Sequence, residues 1–163
     1  MGESVDRMAT LIELLARDVL RELDGVPHEL LNRPVELPEA NSLFAIATHL
    51  MASGRMWTLA VAGGRDIPRD RDSEFVATGT FEQLTAGYEQ WIGDLHAVLD
   101  AMPDAELGRS TGTKPYRDGL GVDELTVEHA LLHCIDHTAI HIGHIQVTKQ
   151  FLTGGLAGGT GAG

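Results

Sequence analysis

Basic residues are scarce in this chain. Twelve lysines and arginines stand against 24 aspartates and glutamates, a formal charge of −12 with histidine neutral. That balance offers too few cations to displace the counterions of a nucleic-acid duplex, and an anionic membrane surface repels it. Cysteine is nearly missing as well. Cys134 stands alone, which excludes an internal disulfide and any zinc site built from several thiolates, and suits a reducing cytoplasm. No apolar run approaches the roughly 18 residues of a membrane span. The start, Met1-Gly2-Glu3-Ser4-Val5-Asp6, has no basic stretch followed by an apolar one, so a cytoplasmic location is expected. Internal repeats and β-branched alternation are absent too, which leaves little support for a solenoid or a β-rich fold.

What is present suffices for one domain. The 163 residues are 43% hydrophobic and 22% charged, enough to bury a core beside a cleft. Met8, Ile12, Leu15, Val19 and Leu23 recur at helical steps and stop before Gly25 and Pro27, which predicts a first helix. Leu43, Ile46 or Ala47, Leu50 and Trp57 predict a second from about residue 41 to 62, with Asn41 or Ser42 as its cap and Gly63-Gly64 as its stop. Residues 65–80 read as a charged crossing long enough to traverse a bundle. Thr80 and Gln83 have capping-box spacing, and Phe81, Leu84, Tyr88, Trp91, Leu95, Val98 and Met102 form the apolar seam of a third helix closed by Pro103. Residues 104–121, with several glycines and Pro115, read as a loop or short hairpin that can fold over one end of the bundle. A fourth helix is expected from about 122 to 152, its core face carrying Leu131, Ile135, Thr138, Ile142 and Ile145. Four helices without strands give an all-α four-helix bundle over residues 1–152. Residues 153–163 hold six glycines in eleven positions and are expected to form a mobile tail.

Histidine is the compositional oddity: eight in all, with His129, His133, His137, His141 and His144 on the fourth helix. Imidazoles four residues apart on a helix lie about 5 to 6 Å apart at Cβ and can share one ion. Each four-residue step also turns about 40° past a full revolution, so only two adjacent members of the ladder can face one point. A zinc-like catalytic centre takes three protein ligands. Outside this helix the helical candidates are His49 and His96. His49 is favoured because Ala45, Ala52 and Ser53 leave room around it, whereas His96 lies at the edge of its seam. His28, His96 and His129 are expected to be structural or solvent-facing. His133 and His144 stand one turn from His137 and His141, where they can orient a ligand or line the cavity. Trp57, Trp91 and Cys134 are expected to pack in the core. Arg69 and Arg71 either steer an anionic substrate or pair with Asp70, Asp72 and Glu74 on the surface.

The run Asp136-His137-Thr138-Ala139-Ile140-His141-Ile142-Gly143-His144-Ile145-Gln146 resembles the final-helix signature of the DinB-like superfamily, two histidines four apart with a glycine two positions on. Ala40-Asn41-Ser42-Leu43 leading to Thr48-His49-Leu50 and Trp57 is similar to the segment that supplies that family's third histidine, and residues 69–75 look like the crossing of one subgroup. The resemblance extends over about residues 5 to 152. It implies a four-helix bundle with a long crossover, often a homodimer, holding a divalent ion, commonly zinc or nickel, on His49, His137 and His141. Ile142-Gly143-His144 stands where many relatives carry arginine, glycine and glutamine, so the cationic side chain of that end is missing. Relatives include bacterial thiol S-transferases and a mycothiol-dependent maleylpyruvate isomerase. The implied function is transfer of a low-molecular-weight thiol to a small electrophile. The alternatives are metal-assisted hydrolysis, with Glu128 or Asp136 as base, and a non-catalytic bundle that holds metal or ligand for stability.

Overall fold

The structure of the chain, a computed structural model, describes residues 2–36 and 40–154. Among them six α-helices form: α1 (Glu3–Leu23), α2 (His28–Asn32), α3 (Leu43–Arg55), α4 (Arg71–Glu74), α5 (Phe81–Leu99) and α6 (Val127–Leu152). Four are long. The expected glycine-rich tail lies, from residue 155, outside the described residues.

The helix ends follow from local chemistry. The Ser42 hydroxyl accepts from Ala45 N at 3.1 Å and opens α3. Thr80 and Gln83 form a reciprocal capping box at the head of α5. Past Arg55 the α3 ladder widens into a π-helix, Met56–Ala62, in which Gly63 N donates to Thr58 O five residues back. The fourth long helix starts five residues later than its periodicity predicts. Leu125 N donates to Thr113 O and Val127 N to Arg109 O, with an isolated antiparallel bridge between Ser110 and Thr126. Those pairings consume the amides that an earlier helical turn needs, so residues 109–127 make the short hairpin and α6 begins only after Thr126.

Helix α1 packs against α5 and α6, and α3 packs against the same two. The pairs α1/α3 and α5/α6 therefore occupy opposite diagonals of a four-helix bundle. On α1 the buried line runs through Val5, Ala9, Ile12, Ala16, Val19 and Leu23, with Met8 and Leu15 at its edge. Leu84, Tyr88, Trp91, Leu95 and Leu99 of α5 fill the middle. Trp91 fits because position 54 is glycine: a Cβ there would run into the indole. The Trp91 indole N–H donates to Thr58 Oγ1 at 3.1 Å, Thr58 Oγ1 donates to Gly54 O at 2.7 Å, and the Tyr88 hydroxyl donates to Ala47 O at 2.8 Å. Cys134 packs as expected, 2% exposed, with its thiol pushed up to about 12 by burial.

One expectation is corrected by this layout. Since α3 and α5 are direct neighbours, residues 65–80 need not traverse the bundle; the diagonal crossings are residues 24–42 and 100–126. The charged segment instead dips against α3 and delivers α4 to the core side.

Candidate metal centre

The α6 register explains which histidines meet. Thr126 caps the helix and His129, at the third position, returns a ring nitrogen to the Thr126 backbone amide at 3.2 Å, so His129 acts as a capping residue. One turn on, His133 is wedged between aromatic rings, 4.5 Å from Trp57 and 3.8 Å from Tyr116 between centroids. Two further turns bring His137 and His141 opposite His49 of α3, their ring centroids 5.2 and 5.4 Å from it. His144 has turned outward and is exposed, its Nδ1 at 3.1 Å from His141 Nδ1. Of the ladder, only His137 and His141 converge with His49: one ligand atom from each of the three lies within 4.8 Å of the others.

Such a set can hold a metal ion. His49 Nε2 and His137 Nε2 are 3.4 Å apart, and two nitrogens on one tetrahedral ion at about 2.0 to 2.1 Å are about 3.3 Å apart. Burial, followed by the neighbouring imidazoles, pushes His137 down to about 3. Burial and then His144 and His49 push His141 down to about 4. Burial also lowers His49, against the raising effect of Glu74. At neutral pH all three are neutral imidazoles, the form that ligates.

The other side of His49 carries a partner hidden in the sequence. Glu74, the last residue of α4, is 4% exposed, and its Oε2 lies at hydrogen-bond distance, 2.8 Å, from His49 Nδ1. Arg69 holds both carboxylate oxygens, Nε to Oε1 at 2.6 Å and Nη2 to Oε2 at 2.9 Å. Burial pushes this carboxyl up, but its hydrogen bonds with Arg69 and then with His49 hold it below the usual carboxylate range. Phe75 stacks on the His49 ring at 4.9 Å. The Arg69–Glu74 pair is thus largely buried, where a surface pairing was one expectation; both arginines line the cleft, Arg69 with its charge paired to Glu74 and Arg71 exposed. Glu74 and Phe75 sit in a run of mixed charge that reads as a solvated crossing; the signal was the single aromatic that ends it.

A cleft of about 640 Å³ opens on the His49 and His137 side of the cluster, while His141 lines a separate depression. His133, Trp57 and Ser53 form part of its floor, and Tyr116 and Arg117 reach it from the hairpin. Arg71 lines the same space, and neither Arg71 nor Arg117 forms an ion pair among the described residues. His133 Nδ1 is buried without a hydrogen-bond partner among the described residues. Trp57 is 7% exposed, as a core residue should be, yet one edge belongs to the cleft. Tyr116 and Arg117 were missed because a loop of glycine, proline and charge carries no periodicity. His96 is occupied elsewhere, accepting no role here: its Nε2 donates to Glu13 at 2.7 Å on the bundle edge.

A helical bundle with three neutral histidines gathered beside an open cleft defines a class of candidate metalloproteins. Residues 11–145 match the sequence profile of the DinB superfamily, and the chain belongs to that family. Its fold is similar to that of a conserved protein from Enterococcus faecalis known from a crystal structure, with a TM-score of 0.72 and 12% identity over 94% of this chain and 99% of the other. No curated protein matches the sequence. None of the described helices is long and apolar enough to cross a membrane.

Proposed function

We propose that this chain is a divalent-metal-dependent enzyme, with zinc or nickel held by His49, His137 and His141, that transfers a low-molecular-weight thiol to a small electrophile. The convergence of the three rings beside an open, arginine-bearing cleft carries the reading. An ion on three neutral ligands keeps most of its charge and favours the deprotonated form of a thiol bound against it. The chain's own residues supply the rest. Arg71 and Arg117 attract the carboxylates of an anionic thiol. Trp57, with Tyr116 and His133 packed edge to face against it, offers an aromatic wall that orients an unsaturated or aromatic electrophile and keeps water from it. Hydrolysis is less well supported, because Glu128 and Asp136 are exposed on α6 and no carboxylate is among the residues lining the cleft.

The test starts with elemental analysis of untagged protein. One ion per chain is expected, and His137→Ala should lose it; tight stoichiometric metal in that variant would remove the ligand set. Incubation with mycothiol, bacillithiol or glutathione and a generic electrophile should consume thiol only when metal is present. No metal-dependent consumption with any of the three would remove the transferase assignment. A homodimer belongs to the same proposal. Leu132, Ile140, Val147 and Phe151 leave an apolar stripe about half exposed along α6, and light scattering that returns the mass of a single chain would dismiss it.

A further inference from the structure

We infer that Glu74 is a positioning residue: its buried carboxylate fixes His49 with the proton on Nδ1, so that the Nε2 lone pair faces His137 and His141. The inference rests on the proposed metal centre for its consequence, but the tautomer itself is a property of the protein alone.

Placing a carboxylate inside a bundle is costly. An ionised group 4% exposed persists only when its oxygens are paired and hydrogen-bonded. Arg69 satisfies that need, since a guanidinium does not lose its proton and its planar fork meets both oxygens of Glu74. With the carboxylate kept ionised by Arg69, Glu74 is an acceptor only. The His49 atom facing it at 2.8 Å, Nδ1, must therefore be the donor. In a neutral imidazole this leaves Nε2 as the acceptor, and Nε2 is the atom 3.4 Å from His137 Nε2. Phe75, the next residue in the chain, lies against the face of the same ring with only 27° between planes. One short stretch, Glu74-Phe75, thus determines which nitrogen of His49 is free and in which plane it lies.

The arrangement is secured from below. Asp70 caps α4 by accepting from Ser73 N, and the Ser73 hydroxyl donates to Asp70 O, which sets the single helical turn that ends in Glu74. Arg69 stands just before that cap, so the two members of the ion pair bracket the turn. Arg69 and Glu74 cancel in charge, and His49 meets a carboxylate whose negative charge is already shared with a guanidinium. The carboxylate therefore orients the ring through its hydrogen bond at Nδ1. Oriented imidazoles of this kind bind metal about 10- to 100-fold more tightly than those whose outer partner has been removed.

Two measurements on the full chain test the inference. Long-range proton–nitrogen NMR spectra of metal-free parent protein, with the ring assigned through a His49→Gln variant, should show His49 with its proton on Nδ1; a proton on Nε2 overturns the proposal. Zinc affinity, read by competition with a chromophoric chelator, should fall about 10- to 100-fold in Glu74→Gln while one ion per chain is still reached at saturation. A folded Glu74→Gln chain whose melting temperature drops but whose zinc affinity stays within twofold of the parent would show that Glu74 serves packing only, and overturns it as well. If Glu74→Gln fails to fold by circular dichroism, Arg69→Lys replaces it, with a smaller loss of affinity expected and an unchanged affinity counting against the proposal. If the parent binds no zinc, the metal reading falls, and the His49 tautomer in the parent then decides the positioning role by itself.

Discussion

Two groups of buried polar side chains lie in the same bundle and treat their hydrogen bonds in opposite ways. Around Trp91 every donor ends on an acceptor: indole to Thr58, Thr58 to Gly54, Tyr88 to Ala47. Around His49 the polar atoms are arranged but not all satisfied by one another. The nitrogens of His49 and His137 face each other, and His133 Nδ1 has no partner among the described residues. A buried polar group left without a partner costs about 1 to 3 kcal/mol, so the first group is what a bundle builds for its own stability and the second is what it builds to receive something. Both draw on the same two helices, since α3 and its π-helical extension carry Ala47, His49, Gly54 and Thr58 within twelve positions.

The two groups should respond differently to metal. Zinc at about a thousandfold over its dissociation constant should stabilise the parent by about 4 kcal/mol, reversed by a chelator. His137→Ala should abolish that shift and Tyr88→Phe should keep it, as read by thermal denaturation with and without zinc. An equal shift in parent and His137→Ala would erase the distinction between the two groups. The closed group should respond most to crowding. Gly54→Ala forces a methyl into the Trp91 ring and is expected to destabilise the fold by about 3 kcal/mol, measured by urea denaturation. Tyr88→Phe removes one buried hydrogen bond and should destabilise by about 1 kcal/mol in the same assay.

A third pair sharpens the contrast from the surface, where solvent screens charge. His96 is raised, first by its hydrogen bond to Glu13, and Glu13 is lowered, first by the same bond. The histidine's share of the stabilisation is complete below its ordinary value of 6.5 and fades as pH rises through its raised one. The glutamate's share is complete above 4.5 and fades as pH falls through its lowered one. The pair therefore stabilises most between about pH 4.5 and 6.5, and by only a few tenths of a kcal/mol because both side chains are about one-third exposed. His96→Gln should lose that small excess near pH 5.5 and differ little from the parent at pH 9.

Much of this was legible in the sequence. The four long helices show in the spacing of residues such as Ile12, Val19, Leu84 and Trp91, because a buried stripe at 3.6-residue period has one structural solution. The gathering of His137, His141 and His49 could be anticipated from helix geometry and from a resemblance between short motifs. The start of α6 could not, because the hydrogen bonds that delay it run from residues 109–113 to 125–127 and leave no local trace. His129 was also opaque in detail, since the familiar capping box ends in glutamate or glutamine, whereas here a ring nitrogen does the same work. Glu74 was hidden for a different reason. Charged residues are nearly always solvated, and only the folded chain shows that Arg69 carries this one inside.

The segment between Gly64 and Thr80 joins two helices that already touch, so connectivity does not require its length. Its residues do not decide which of the four rods meet, yet they hold the carboxylate behind His49 and the arginine at the lip of the cleft. Scaffold and chemistry are thereby uncoupled along the chain: drift in this one connection can retune the centre while the architecture that supports it stays as it is.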